Sequence, residues 1–299
     1  MRNDPIGEVP SGYVVHRIGD TWLVLDQKRA PELVELRLAD PASRADLFAR
    51  SPRRGRGPTP VVPLSGGGAV VLRRYRHGGL FGRITGPLLL GPGRALRELA
   101  VTHGARERGA PVPSVLCLVL WPNLGPLWSS AIGTFEEPDA RDLLEVLDSL
   151  PEQADRRRLA RHAGAAIRRL HDAGVDHRDL HLCNILAVPD PGSESDRIVI
   201  VDLDRATFPG TGPLEPARRA QNLGRLCRSV VKSGLWRNPL GRREFASLIA
   251  GYTSGNRTLR RELRGRAARE RASLWLHRLS YGVRSTRAGR KARSLPRRA

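Results

Sequence analysis

Leu170-His171-Asp172-Ala173-Gly174-Val175-Asp176-His177-Arg178-Asp179-Leu180-His181-Leu182-Cys183-Asn184-Ile185-Leu186 leads, eighteen residues after Asn184, to Asp202-Leu203-Asp204 at the end of the apolar run Ile198-Val199-Ile200-Val201. The pattern predicts a helix stopped at Gly174 and a loop bearing His-x-Asp, with an asparagine five residues past the aspartate. A strand over 185–188, a Pro/Gly/Ser turn and a strand over 198–201 that ends in Asp202 follow. Phosphoryl transfer from ATP needs such groups in this order. One carboxylate faces the acceptor hydroxyl, while an amide oxygen and a second carboxylate hold Mg²⁺ against the phosphates. Setting them on the loop and strand ends of one hairpin fixes their separation without long side chains. Satisfied polar loop residues would be the plainer account, but the strand–turn–strand context that the chemistry demands is present.

Outward from this stretch the texture of the chain changes. Residues 140–150 and 155–173 carry apolar groups at helical spacing, with Leu159, Ala163, Ala166, Ile167 and Leu170 in the second. Further toward the N-terminus strands dominate: 61–64 and 69–72 flank Ser65-Gly66-Gly67-Gly68 as a hairpin, 115–121 is continuously apolar, and 127–135 follows the turn Asn123-Leu124-Gly125. One helix is expected among them over 94–108, ending at Gly109 before Pro111. Short strands near 13–15 and 22–25 and one helix over 31–50 precede a loop rich in Gly, Pro and Arg. Helices resume at 215–232 and 244–253. The reading is a bilobal α+β protein with a cleft between lobes. It comprises an N-terminal extension (1–54), a β-rich lobe (55–135), a helical lobe (136–254) and an Arg-rich C-terminal segment (255–299).

Composition narrows the class. The 299 residues hold 51 Lys and Arg against 30 Asp and Glu, a net charge of +21, yet 40% are hydrophobic, which excludes a disordered basic protein. No apolar run is long enough for a membrane span, and the start lacks the apolar stretch of a secretory signal. Cys117, Cys183 and Cys227 are odd in number and in no metal-ligand pattern, so they read as reduced thiols of a cytoplasmic protein. Among the cations only Lys28, Lys232 and Lys291 are lysines. Residues 255–299 hold fifteen cations against Glu262 and Glu270, a local +13. That segment suits an anionic membrane surface, and equally a packed helix with a solvated arginine face. No aromatic-rich strand motif or groove-reading helix supports nucleic-acid binding.

The catalytic stretch resembles the catalytic and metal loops of the protein-kinase-like superfamily. The wider chain resembles the lipopolysaccharide-core sugar kinases, above all the 3-deoxy-D-manno-octulosonic acid (Kdo) kinase family, through Gly55-Arg56-Gly57, the string Leu72-Arg73-Arg74-Tyr75-Arg76-His77-Gly78-Gly79-Leu80, Arg97-Glu98 and the two loops above. The resemblance implies a protein-kinase-like bilobal fold and ATP-dependent phosphorylation of a sugar hydroxyl, with ATP and Mg²⁺ as cofactors. A lipid-linked, Kdo-lipid A-like acceptor would be met at the cytoplasmic face of an inner membrane. Asp179 would be the catalytic base, Asn184 and Asp202 the Mg²⁺ ligands, Glu98 the helix carboxylate that orients the phosphate-contacting cation, and Gly55, Arg56 and Gly57 the loop over the phosphates. No lysine lies between Lys28 and Lys232, so that cation must be an arginine. Strand alternation from Val71 points to Arg73, with Arg74 as the fallback. Asp204 is expected to assist the metal or to pair with Arg205. A protein or other small-molecule acceptor, or a non-catalytic kinase-fold binding protein, is the alternative.

Overall fold

The computed structural model describes residues 5–51, 53–54, 57–75, 88–150, 152–193, 195–233, 239–263 and 265. In the first lobe the described strands form a seven-stranded antiparallel sheet in the order β1-β2-β8-β9-β6-β5, with β7 also on β9. These are β1 (Tyr13–Ile18), β2 (Thr21–Asp26), β5 (Val61–Pro63), β6 (Ala69–Arg74), β7 (Leu89–Leu90), β8 (Val115–Pro122) and β9 (Leu127–Phe135); β3 (Arg53–Arg54) and β4 (Gly57–Pro58) pair separately. The sheet is covered on both faces, which is why β8 is buried from Val115 to Leu120 and shows no polar alternation. On one face Leu23, Leu25, Cys117 and Val119 meet Leu33 and Phe48 of the helices α1 (Ala30–Glu35) and α2 (Pro41–Ala49). On the other, Val24, Leu118, Leu120 and Ile132 meet Ala95 and Leu99 of α3 (Gly93–Glu107).

Two expectations change here. The described residues 5–51 are not an extension, because they supply two strands of the sheet and the helices that close one face of its core. The single helix over 31–50 is two helices. Pro41 disfavours helical backbone at Asp40, which instead caps α2 by accepting from the Ala42 and Ser43 N–H groups at 3.4 and 3.0 Å.

The second lobe is built on α4 (Leu143–Ser149), α5 (Gln153–Asp172), α6 (Pro216–Lys232) and α7 (Pro239–Tyr252), with a small sheet of β10 (Arg141–Asp142), β11 (Ile185–Val188) and β12 (Arg197–Ile200). The helix expected from residue 140 starts at Leu143, because Arg141 and Asp142 pair with Ala187 and Leu186 as a strand. Helices α5 and α7 touch backbone to backbone. A Cβ on Gly164 would run into the Leu248 carbonyl, and one on Gly251 into that of Arg161. Leu259 and Leu263 are buried in this lobe's core while Arg257, Arg260 and Arg261 are exposed. The described start of the basic segment is therefore a packed helix with an arginine face.

Candidate active site

His177 fixes the loop of the second lobe. It is buried, its Nε2 stands 3.1 Å from the Val201 carbonyl, and its Nδ1 accepts the Asp179 N–H at 3.3 Å. Burial lowers its pKa, so the ring stays neutral and can donate on one side and accept on the other. Asn184 donates from Nδ2 to the Asp179 carbonyl at 3.0 Å, and its own carbonyl accepts from Val201 at 3.0 Å. Asp179, Asn184 and the end of β12 are thereby locked into one unit. His171 lies beneath it, its Nδ1 2.8 Å from the Tyr252 hydroxyl. Asp176 accepts from Asn222 at 2.7 Å and Arg218 at 2.9 Å; although burial alone would raise its pKa, these bonds lower it.

Asp202 sits in left-handed backbone, φ 62° and ψ 62°, a conformation open to aspartate at a cost on the order of 1 kcal/mol or more. The neighbours hold it there: Leu203 is buried, and the Ala206 N–H closes a 3₁₀ turn onto the Leu203 carbonyl at 2.8 Å. Its Oδ1 is buried and makes no hydrogen bond, but lies 3.4 Å from Arg73 Nη2.

The first lobe supplies the facing groups. Arg73 on β6 donates from the same Nη2 to Glu98 Oε1 at 2.7 Å, and the Tyr75 hydroxyl donates to Glu98 Oε2 at 2.5 Å. Burial pushes the Glu98 carboxyl up, against the pull of Arg73 and Tyr75. Burial would lower the Arg73 pKa, but Glu98 and Asp202 outweigh it and hold the guanidinium charged. Arg74 is turned to the other face of the sheet, 4.5 Å from the Phe48 ring centre and 5.5 Å from that of Trp121. Of the two arginines, Arg73 is the one that reaches Asp202 of the second lobe.

The structure thus gathers Asp179, Asn184 and Asp202 on one side and Arg73 and Glu98 on the other, linked by Arg73–Asp202. Gly57 begins β4, paired with Arg54, while Gly55 and Arg56 lie outside the described residues. Asp204 does not pair with Arg205: Arg94 of α3 holds both its oxygens. Sequence reasoning missed Arg94, whose contact spans 110 residues. It also gave Tyr75 no role, although the alternation through Val71 and Arg73 puts it on the same face. Among the described residues no three His, Cys, Asp or Glu side chains stand together in a group that could hold a metal ion.

Comparison with known proteins gives the family. The lipopolysaccharide kinase (Kdo/WaaP) family matches residues 43–252, which span every group just described. The chain belongs to that family. It is accordingly a kinase, a phosphotransferase that uses ATP. The 3-deoxy-D-manno-octulosonic acid kinase of Vibrio cholerae serotype O1 is 30% identical over 202 residues, covering 66% of this chain and 80% of that protein. The protein of the same name from Vibrio parahaemolyticus serotype O3:K6 is 31% identical over 187 residues, 61% and 73% of the two chains. Among solved structures, WaaP in complex with acyl carrier protein aligns with a TM-score of 0.56 at 22% identity, over 87% of this chain and 98% of that one. That likeness bears out the kinase-like bilobal α+β fold.

Proposed function

We propose that the protein transfers the γ-phosphoryl group of ATP to a hydroxyl of Kdo in the lipopolysaccharide core or in Kdo-lipid A. The observation that carries this reading is the run of contacts Glu98–Arg73–Asp202 across the cleft, in a chain whose relatives are named Kdo kinases. Asp179 receives the proton of the acceptor hydroxyl as its oxygen bonds to the γ-phosphorus and the bond to the β-phosphate oxygen breaks, leaving ADP. Arg73, oriented by Glu98, grips the α/β-phosphates through paired donors. Asn184 and Asp202 suit Mg²⁺: Asp202 Oδ1 is buried without a hydrogen bond, and a hard cation takes a few protein oxygens and completes its shell with phosphates and water. When bound, the ion neutralises phosphate charge.

Among the described residues no helix is long and apolar enough to cross a membrane. The reading extends to a peripheral position on the cytoplasmic face of an inner membrane, with the exposed Arg257, Arg260 and Arg261 toward anionic lipid. The test is transfer of labelled γ-phosphate to Kdo-lipid A and to a panel of other acceptors. Asp179→Ala should lose on the order of 10²–10⁴-fold in rate, while MgATP still raises its thermal midpoint. Full activity in that variant, or transfer to every acceptor but Kdo, overturns the reading.

A further inference from the structure

Asp204 lies two residues past Asp202, yet its environment differs. Arg94 grips it bidentately, Nε to Oδ1 at 2.6 Å and Nη2 to Oδ2, with the two side chains only 27% and 11% exposed. Arg94 stands in the first turn of α3, where the helix dipole disfavours a cation, so the helix itself does not account for it. One turn further along the same helix is Glu98. Helix α3 is therefore tied to the loop after β12 at two points: through Glu98 and Arg73 to Asp202, and through Arg94 to Asp204. Tyr75 joins the two ties, its hydroxyl on Glu98 and its ring centre 5.2 Å from the Arg73 guanidinium and 5.7 Å from that of Arg94.

The ties are not equivalent. Arg73–Asp202 is a single 3.4 Å contact between partners 37% and 39% exposed, both of which nucleotide and metal would recruit. Arg94–Asp204 is a planar two-bond pair that leaves neither Asp204 oxygen free of the guanidinium. We propose that Arg94 and Asp204 form an interlobe clasp that keeps α3, and with it Glu98, in register with Asp202 whether or not nucleotide is bound. Asp204 is then a positioning residue and not a metal ligand. The inference rests on the roles given above to Glu98 and Asp202.

The experiment compares full-length wild type with Arg94→Gln, Arg94→Lys, Asp204→Asn and the Gln/Asn double variant. Amide hydrogen exchange over residues 93–107 is followed without nucleotide, and kcat and the Mg²⁺ half-saturation concentration are measured with Kdo-lipid A. The clasp predicts faster exchange in α3 but not in α5, and a fall in kcat of about tenfold or more for either single variant. It also predicts an unchanged Mg²⁺ requirement, a double variant no worse than the singles, and partial rescue by Arg94→Lys. A Mg²⁺ requirement raised by Asp204→Asn but not by Arg94→Gln would make Asp204 a metal ligand and overturn the proposal. So would exchange and kcat at wild-type values in both singles. Absence of wild-type transfer to Kdo-lipid A would defeat the acceptor assignment alone, since the exchange experiment still decides the clasp.

Discussion

Replacing Glu98 by glutamine keeps the shape of the side chain, removes its charge and turns one of its two accepting oxygens into an NH₂ donor. In the native protein that charge is almost fully buried at 4% exposure and is satisfied by two donors, Arg73 at 2.7 Å and Tyr75 at 2.5 Å. A charge-assisted hydrogen bond in such a setting contributes on the order of 1.5–3 kcal/mol. Glutamine still accepts from Arg73, but as a neutral group, so the loss is in how firmly the guanidinium is held. The nearest remaining carboxylate is Asp202, at 3.4 Å, and Arg73 would shift toward the group assigned to the metal. At about 1.4 kcal/mol per tenfold in rate, kcat/KM for ATP should fall roughly 10- to 100-fold. Burial raises the Glu98 pKa, so neutralising the carboxyl relieves desolvation, and the thermal midpoint should move by no more than a few degrees. Arg74→Gln is the control. Its guanidinium faces Phe48 and Trp121 across the sheet, so kcat/KM should stay within about twofold. Steady-state kinetics with varied MgATP reads both variants. Wild-type kcat/KM in Glu98→Gln, or an equal loss in Arg74→Gln, would refute the assignment of Arg73 to the nucleotide side.

Two further expectations concern the scaffold under the site. Gly164→Ala must push apart α5 and α7, because the new methyl collides with the Leu248 carbonyl and backbone cannot step aside. Overpacking of this kind costs about 1–3 kcal/mol or more, and a thermal scan should show a clearly lower midpoint; an unchanged midpoint would mean the helices are not in backbone contact. His171 is fully buried, and its pKa is pushed down to about 3, first by burial and then by Arg219, with Tyr252, His177 and Asp176 also facing it. The folded protein therefore binds this proton later than the unfolded chain. Stability from His171 is complete above the unfolded value of about 6.5 and is lost as pH falls toward 3, about 2 kcal/mol by pH 5. His177 acts with the same sign, and Glu98 with the opposite one as pH rises above its unfolded value, so the readout is a difference. Between pH 7 and 5 the midpoint of His171→Asn should fall less than that of wild type, and parallel curves would refute the sign.

Legibility in the sequence followed the range of the interaction that decides each element. The loop from His177 to Asn184 and the strands around it were readable because their signals are local: a helix stop at Gly174, two short apolar runs, and polar residues at fixed spacing between them. Arg73 was readable through strand alternation. What escaped depends on distant partners. That β1, β2, α1 and α2 belong to the first lobe follows from Leu23, Leu25, Leu33 and Phe48 sharing a core with Cys117 and Val119, and no local pattern encodes that pairing. The Arg94–Asp204 contact is of the same kind. In a chain with so many arginines, position alone cannot mark the one that meets Asp204.

The shortage of lysine has a structural consequence at this point. A lysine presents one compact charge, whereas an arginine presents a planar fork that must be oriented before its donors are useful. Here the orienting groups surround the fork. Glu98 and Asp202 share a single Nη2, and the Tyr75 ring lies 5.2 Å from the guanidinium carbon while its hydroxyl secures Glu98. The contacts described for Arg73 leave Nε and Nη1 for a further anion, the paired-donor grip that suits phosphate oxygens. An arginine in this role thus calls for a fixed helix carboxylate more strictly than a lysine would. That requirement gives α3 a reason to be tied a second time, through Arg94, to the loop that carries Asp202. The backbone acts in the same direction, since Asp202 already holds the left-handed conformation and Leu203 is buried behind it. Both features favour an enzyme assembled in its working arrangement over one that waits for a signal to reach it.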